Sequence, residues 1–439
     1  MRLNRFRFIY SLAGALLGGE WTVAGVKKSL SRPPMDRPLR SPKLAERITS
    51  AFPHKPEFKS LVKFLQTDAG LARAIARPAI YIPSRITARK KIDAPPSWLS
   101  GVELPKLETE TELTEWFGID IKRLRWRADI TGRNRRHPPG PMRTYRYRWI
   151  PKREGLPRLL EIPKAKLKET QRKILAEILD KIPVHPAAHG FCAGRSIITN
   201  TTPHCGQAAV LRFDLMDFFP SITAARVYQI FRSIGYPVDV ARLLKGLCTT
   251  SLPADVWDAR PGARNPEDFL ARQRLIGRHL PQGAPTSPAL ANLAAGRLDR
   301  RLAALAEKLG ATYTRYADDL TFSGPLDLAR TRKRIATLVA VIADDEGFTL
   351  NFRKTRLMRA GVRQHVTGVV VNVHPNINRV EFDRLKAILT NCIRRGAAEE
   401  NRESHPNFRA HLLGRVAHVR SINTARGDKL MKLFAKIVW

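Results

Sequence analysis

Two adjacent carboxylates, Asp318 and Asp319, lie in the run Tyr313-Thr-Arg-Tyr316-Ala317-Asp318-Asp319-Leu320-Thr-Phe322-Ser323. Apolar and aromatic residues flank them, which predicts strand, tight turn, strand, with the acids at the turn. Neighbouring acids repel, and a hard cation relieves that repulsion. An Asp-Asp pair can also be turn chemistry alone, so a third acid is what gives it meaning. Asp214 supplies one far upstream, at the end of the apolar run Val210-Leu-Arg-Phe213-Asp214 and ahead of Pro220. A strand end can face a neighbouring hairpin. Asp214, Asp318 and Asp319 would then form a carboxylate cluster for two Mg²⁺ ions, with Mn²⁺ as the alternative. One ion would lower the pKa of an attacking hydroxyl and the other would stabilise a leaving pyrophosphate. A third segment, Leu280-Pro281-Gln282-Gly283-Ala284-Pro285-Thr286-Ser287-Pro288, ends in a Ser-Pro pair that predicts a helix start with Ser287 as N-cap. Its Gly/Pro loop could bring Gln282 to a base or sugar, or it could be a capped helix and nothing more.

These residues need elements to hold them. The chain has 439 residues, 43% of them hydrophobic, enough for a sizeable core and too many for global disorder. Short β-like runs alternate with longer helical segments from Leu107 onward, an α+β pattern. Residues 1–92 carry helical patterns at Lys43–Phe52 and Glu57–Leu65, broken by Pro-rich turns, and a linker is expected at Ile92–Pro105. The apolar run Phe8–Leu17 follows Arg2, Arg5 and Arg7 like a signal peptide, but it is short, polar in places and lacks a cleavage site. It reads as a short buried helix. No run is long enough to span a membrane, and no membrane partner is expected.

Charge narrows the partner. Lys and Arg number 77 against 39 Asp and Glu, a net +38, which predicts a polyanion and most simply nucleic acid. Between Lys122 and Lys173 there are 18 Lys/Arg and 4 Asp/Glu, with Trp126, Tyr145, Tyr147 and Trp149 interleaved. Taken as a block, cations and aromatic faces suit phosphate backbones and unstacked bases, whereas any one of these aromatics reads first as core packing beneath a solvated basic face. The four cysteines, Cys192, Cys205, Cys248 and Cys392, form no CxxC pair and match no zinc spacing, so a reducing cytoplasm is the expected setting.

Taken in order, the three segments resemble the reverse transcriptase family. Phe213-Asp214…Phe219 is similar to its first palm motif, Leu280–Pro288 to its Leu-Pro-Gln-Gly loop, and Tyr316-Ala317-Asp318-Asp319 to its signature box. The resemblance runs from about Tyr147 to the C-terminus. It implies a right-hand polymerase fold: fingers, a palm with an antiparallel sheet, and a helical thumb, behind an N-terminal helical extension. The corresponding domains would be 1–105 for the extension and linker, 106–365 for fingers and palm, and 366–439 for the thumb. The resemblance further implies that Lys152 and Arg158 hold an incoming triphosphate and that Phe219 excludes a ribose 2′-OH. Lys354, in Gly347-Phe-Thr-Leu-Asn351-Phe-Arg-Lys354, would help protonate the leaving pyrophosphate. Core packing for Phe219 and an ordinary surface position for Lys354 stay open.

Within that family, Val366-Thr367-Gly368 resembles a thumb-proximal signature of bacterial retron enzymes. Asn200-Thr-Thr-Pro-His204 resembles the retron Asn-Ala-x-x-His motif, with Thr201 in place of Ala. Asn200 and His204 equally suit a local turn and a core histidine. Leu16-Leu-Gly-Gly-Glu20-Trp21 looks like the helical extension of myxobacterial-type retron enzymes. The implied activity is RNA-directed DNA polymerisation: reverse transcription of a dedicated, structured noncoding RNA that is both template and primer. The implied product is branched RNA-linked single-stranded DNA (msDNA), with dNTPs as substrate, a role in antiphage defence, and room for an effector or toxin protein as partner. The RNA contacts would fall at Asn200, His204, Val366, Thr367 and Gly368. The alternatives are a non-retron bacterial defence enzyme, an intron or diversity-generating enzyme, and a catalytically dead RNA-binding scaffold.

Overall fold

The computed structural model describes residues 9, 12, 13, 16, 17, 19–30, 43–75, 99, 101–151, 157–262 and 268–439. The chain divides into two compact units, Met1–Ile92 and Asp93–Trp439. The break falls at the start of the linker expected at Ile92–Pro105. In the first unit Ile9, Leu12, Ala13 and Leu16 are helical and buried. Spacings of three and four put them on one helical face. They share a core with residues of the helices Val23–Leu30, Leu44–Ala51 and Phe58–Thr67.

The second unit opens on the acidic stretch. Thr109 caps the helix Glu110–Phe117 in a reciprocal box with Glu112, and Glu110 and Glu112 lie in its first turn, where the helix dipole favours them. The basic block folds into a hairpin, β1 (Tyr145–Ile150) and β2 (Arg158–Pro163). Period-two alternation turns Tyr145, Tyr147 and Trp149 inward and leaves Arg146 and Arg148 exposed. Tyr145 is bonded by Gln171, and Trp149 donates to the carbonyl of Val256 and packs against Trp257. These three aromatics are taken up by packing, the reading favoured for each of them singly, and what the block offers a polyanion is its arginines.

A four-stranded antiparallel sheet lies at the centre, with the order β4-β5-β3-β6. Its strands are β3 (Ala209–Asp214), β4 (Thr312–Tyr316), β5 (Asp319–Gly324) and β6 (Arg356–Arg359). The 22-residue helix Ser287–Lys308 covers it, with Leu290, Ala291, Ala294, Ala295, Leu298 and Leu302 buried. A two-stranded hairpin follows, β7 (His365–Val366) and β8 (Val369–Val370). Thr367 and Gly368 make its turn with φ of 45° and 85°, the two left-handed positions that a primed hairpin turn requires. The helices Arg379–Arg395, Phe408–Ile422 and Thr424–Phe434 close on a separate apolar cluster that includes Leu385, Leu389, Leu412, Val416 and Leu430. Arg384, Lys386, Arg394, Arg395, Arg409 and Arg420 stay exposed on them. Among the described residues no helix is long and apolar enough to cross a membrane.

Candidate functional site

The sheet register brings the three acids together in the backbone. Asp214, the last residue of β3, pairs directly with Asp319, the first residue of β5. Asp319 also pairs with Tyr316 across the β4–β5 turn, which leaves Ala317 and Asp318 at its tip. The turn is tied to the end of β3 because Leu215 N–H donates to the Asp318 carbonyl at 3.0 Å. Asn351 N–H donates to the Asp214 carbonyl at 2.7 Å, fixing the strand end from the other side.

Each flanking carboxylate has a cation. Lys354 Nζ donates to Asp214 Oδ2 at 2.9 Å. Arg212 Nη2 donates to both oxygens of Asp319 at 3.2 and 3.1 Å. Asp318 has the least relief: burial first, and then the charges of Asp214 and Asp319, push its carboxyl up to about 6. A carboxyl destabilised by its neighbours is what a bound cation would relieve, and three carboxylates are the oxygen donors that a hard divalent ion takes. The donor set therefore fits such an ion. Among the described residues no three acidic, His or Cys side chains are gathered around one point, and Asp214 and Asp319 accept from Lys354 and Arg212 instead. A cavity of about 350 Å³ opens here, lined by Arg212, Phe213, Asp214, Asp319, Lys354 and Arg356.

A buried ionic network sits under the turn. Arg315 and Asp299 are both fully buried, and the guanidinium forks the carboxylate through Nε to Oδ1 at 2.8 Å and Nη2 to Oδ2 at 2.7 Å. Tyr313 Oη donates to Asp299 as well, at 2.9 Å. The remaining nitrogen, Nη1, donates to Asn292 Oδ1 at 3.0 Å and to the Ala317 carbonyl at 3.1 Å. Ala317 has φ 56°, a left-handed conformation that persists in a non-glycine residue only when its surroundings hold it. Asn292 Nδ2 in turn donates to the Gly190 carbonyl at 2.9 Å. Gly190 lies so close to the turn that a Cβ there would stand 2.6 Å from Ala317 N. The next residue, Phe191, is 49% exposed, and its ring lies 6.1 Å from Phe219 and 6.5 Å from Tyr316. An open aromatic face thus borders the acids.

The remaining sequence-predicted residues fall in several places. Phe219 is half-buried between Phe191 and Phe218. Arg158 is exposed at the start of β2, whereas Lys152 lies outside the described residues. The Gln282 carbonyl accepts from Glu161 N–H at 2.9 Å. Beside it His279 Nε2 meets Glu161 Oε2 at 2.9 Å, with both side chains 1% exposed, which ties the Leu280–Pro288 loop to β2. Ser287 is not an N-cap. The helix begins with it, it is buried, and its hydroxyl has no hydrogen-bond partner among the described residues. Packing of the loop overrides the local Ser-Pro signal. Asn200 and His204 are buried as well. His204 bridges the hydroxyls of Ser323 and Thr314 at 2.6 and 2.7 Å, and burial pushes its pKa down to about 3. A ring enclosed in this way offers no face to RNA, so the direct contact expected of His204 gives way to the core-histidine alternative. Val366 is buried in the β7–β8 hairpin, Thr367 is half-buried, and Gly368 is exposed at its turn.

Phe191, Gly190, Asn292, Asp299, Arg315 and Arg212 did not emerge from the sequence. Arg315 left one trace, a cation inside a short strand of Thr and Tyr residues. Asp299 lies on a helix whose charged residues look alike until burial separates them.

Known proteins resemble this chain. The family model described as reverse transcriptase (RNA-dependent DNA polymerase) matches residues 150–383. The chain is 42% identical over 331 residues to the retron Mx65 reverse transcriptase of Myxococcus xanthus, covering 75% of this chain and 72% of that protein. It is 41% identical over 278 residues to the retron Mx162 reverse transcriptase of the same organism, covering 61% of this chain and 54% of that protein. With the retron Ec86 reverse transcriptase of Escherichia coli it shares 30% identity over 279 residues, 63% of this chain and 75% of that protein.

Proposed function

Because the chain belongs to the reverse transcriptase family, with the right-hand polymerase fold and retron-type RNA-directed DNA polymerase activity, we propose that Asp214, Asp318 and Asp319 are its catalytic carboxylates. The observation that carries this is the direct pairing of Asp214 with Asp319 across β3 and β5, with Asp318 at the adjoining turn. Family membership implies divalent metal ions, and these three acids would hold them, as two Mg²⁺. Such ions, when bound, lower the pKa of the attacking hydroxyl and offset charge on the leaving pyrophosphate.

The chain's own residues supply the rest. Arg158, with Lys152, neutralises the triphosphate of the incoming dNTP. Phe219, backed by Phe191 and Phe218, places a ring where a ribose 2′-OH would otherwise fit. Gln282, fixed to β2 through its carbonyl, faces the nucleotide. Lys354 holds a proton at Nζ beside Asp214 and passes it to the departing pyrophosphate. The template and primer lie in a structured noncoding RNA, and the product is RNA-linked single-stranded DNA made in defence against phage, with an effector protein as a further partner. The exposed basic face of residues 366–439 grips the duplex as a thumb, residues 106–365 form fingers and palm, and residues 1–105 form an extension.

Primer extension with Mg²⁺ and dNTPs tests the site. Asp318→Asn should abolish DNA synthesis while RNA binding persists. Synthesis retained by that variant would overturn the assignment.

A further inference from the structure

Arg212 and Arg356 stand directly opposite each other in the β3–β6 register. Like charges at paired positions destabilise a sheet unless an anion lies between or beside them. Arg212 and Asp214 share one face of β3, two residues apart. Only part of the positive charge is matched. Arg212 has Asp319, but its Nε is buried with no hydrogen-bond partner among the described residues. Arg356 donates to the carbonyls of Arg353 and Thr355 and has no carboxylate partner among the described residues. Both line the cavity of about 350 Å³ beside the acids, together with Lys354. Arg212 Nη1 also approaches the His365 carbonyl at 3.5 Å, at the mouth of the β7–β8 hairpin.

From this geometry we propose that Arg212 and Arg356 form a phosphate site that holds a backbone phosphodiester of the primer strand next to the catalytic carboxylates. The proposal rests on the polymerase reading above. Two phosphate sources are chemically alike, the primer backbone and the triphosphate of the dNTP. Position favours the primer. Phe219, with its partner Phe191, lies five residues beyond Asp214, whereas Arg212 lies two residues before it, toward the β7–β8 hairpin. The two arginines thus occupy the hairpin side of the cavity, where Arg212 Nη1 reaches toward the His365 carbonyl, while Lys354 on Asp214 is the cavity's cation for the pyrophosphate. Engagement also fits the charges already present: when a cation other than Arg212 neutralises Asp319, the guanidinium is released to a phosphate, for which its planar fork is suited.

The experiment uses the full chain and a labelled DNA primer annealed to an RNA template. Equilibrium Kd is measured by anisotropy without dNTP at several salt concentrations, and steady-state extension gives KM for dNTP. Arg212→Gln with Arg356→Gln should raise the duplex Kd about tenfold, as expected for lost charged hydrogen bonds. It should lower the slope of log Kd against log salt by about one to two, with KM for dNTP changed less than about twofold. Arg356→Gln alone alters an exposed side chain and should weaken duplex binding in the same direction, with Arg356→Lys recovering part of it. A rise in KM for dNTP with unchanged duplex Kd would assign the site to the triphosphate and overturn the proposal. Wild-type Kd and salt slope in every variant would overturn it too, leaving Arg212 to orient Asp319 alone. A wild-type chain that extends no primer would sink the polymerase reading itself, an outcome distinct from either.

Discussion

The ion pair Arg315–Asp299 invites a perturbation whose two consequences can be separated. Removing one partner of a buried pair leaves an uncompensated charge, at a cost of about 3–5 kcal/mol. In Asp299→Ala, Arg315 would lose two of its four hydrogen bonds and keep only those to Asn292 and Ala317. Against a total stability of about 5–15 kcal/mol, that loss is large. At roughly 2–4 °C per kcal/mol it corresponds to a melting temperature lower by about 6–20 °C. Replacing the whole buried pair with apolar side chains is often neutral. Tyr313 would then lose its acceptor, so the matched variant is Asp299→Leu, Tyr313→Phe, Arg315→Met. It should melt above Asp299→Ala but below wild type, because Asn292 Oδ1 and the Ala317 carbonyl lose their donor. It should still be a poor polymerase, because the bond from Arg315 to the Ala317 carbonyl is gone and the left-handed turn carrying Asp318 is no longer held. A displacement of about 1 Å at reacting groups costs on the order of a hundredfold in rate. The expected result is a kcat for primer extension lower by about ten- to a hundredfold with little change in duplex Kd. Thermal melts and single-nucleotide extension measure the two effects. A triple variant extending at wild-type kcat would refute the positioning role, and one melting as low as Asp299→Ala would refute the stability reasoning.

Three further outcomes are expected. His204 is neutral in the fold with a pKa of about 3, while the unfolded chain protonates near 6.5; the unfolded state therefore binds the proton first, and stability falls as pH drops below about 6.5. Between pH 7 and 5 this amounts to about 2 kcal/mol. The ring faces the Ser323 and Thr314 hydroxyls, with His189 the nearby titratable group that disfavours its charge; His204→Gln should flatten the pH dependence of urea unfolding, and an unchanged slope would contradict it. Gly190→Ala puts a methyl group 2.6 Å from Ala317 N, and overpacking of this kind costs about 1–3 kcal/mol; extension should fall more than melting temperature does, and an active Gly190→Ala enzyme would show that the turn tolerates the shift. Phe219→Ala should reduce discrimination between dNTP and rNTP by at least about tenfold in competition assays, whereas unchanged selectivity would leave the ring to packing.

What could be read along the chain was the chemistry of the turn. Asp214, Asp318 and Asp319 are legible because their neighbours are apolar and periodic, and strand ends and turns follow from such patterns. The N-terminal helix faces were legible for the same reason, through spacings of three and four. For the basic block, composition counts Tyr145, Tyr147 and Trp149 alongside the cations without saying which way they face. A one-residue alternation, visible only once β1 is paired with β2, sends them inward and their arginine neighbours out. Ser287 misled because a capping signal is local, and the loop that docks on β2 overrides it. Asp299 and Arg315 were illegible for a deeper reason: burial of a charge is a property of the tertiary partner, and these partners come from a helix and a strand.

The same distinction explains why the acids carry cations at all. Three carboxylates in adjoining register positions cannot all be ionised without help, and the fold provides it in two ways that differ in permanence. Arg315 and Asp299 are fully buried and satisfied by each other, so nothing that enters from solvent competes for them, and they act as scaffold. Lys354 and Arg212 meet Asp214 and Asp319 at the edge of an open cavity, with Lys354 itself 63% exposed. The Lys354 pair, exposed on its lysine side, is worth about 0–1 kcal/mol, weak enough for a divalent ion to displace, whereas Arg212 and Asp319, 18% and 29% exposed, hold each other more firmly. Enclosed pairing beneath the turn and solvent-facing pairing above it is the order that a site needs when its geometry must persist while its counterions change.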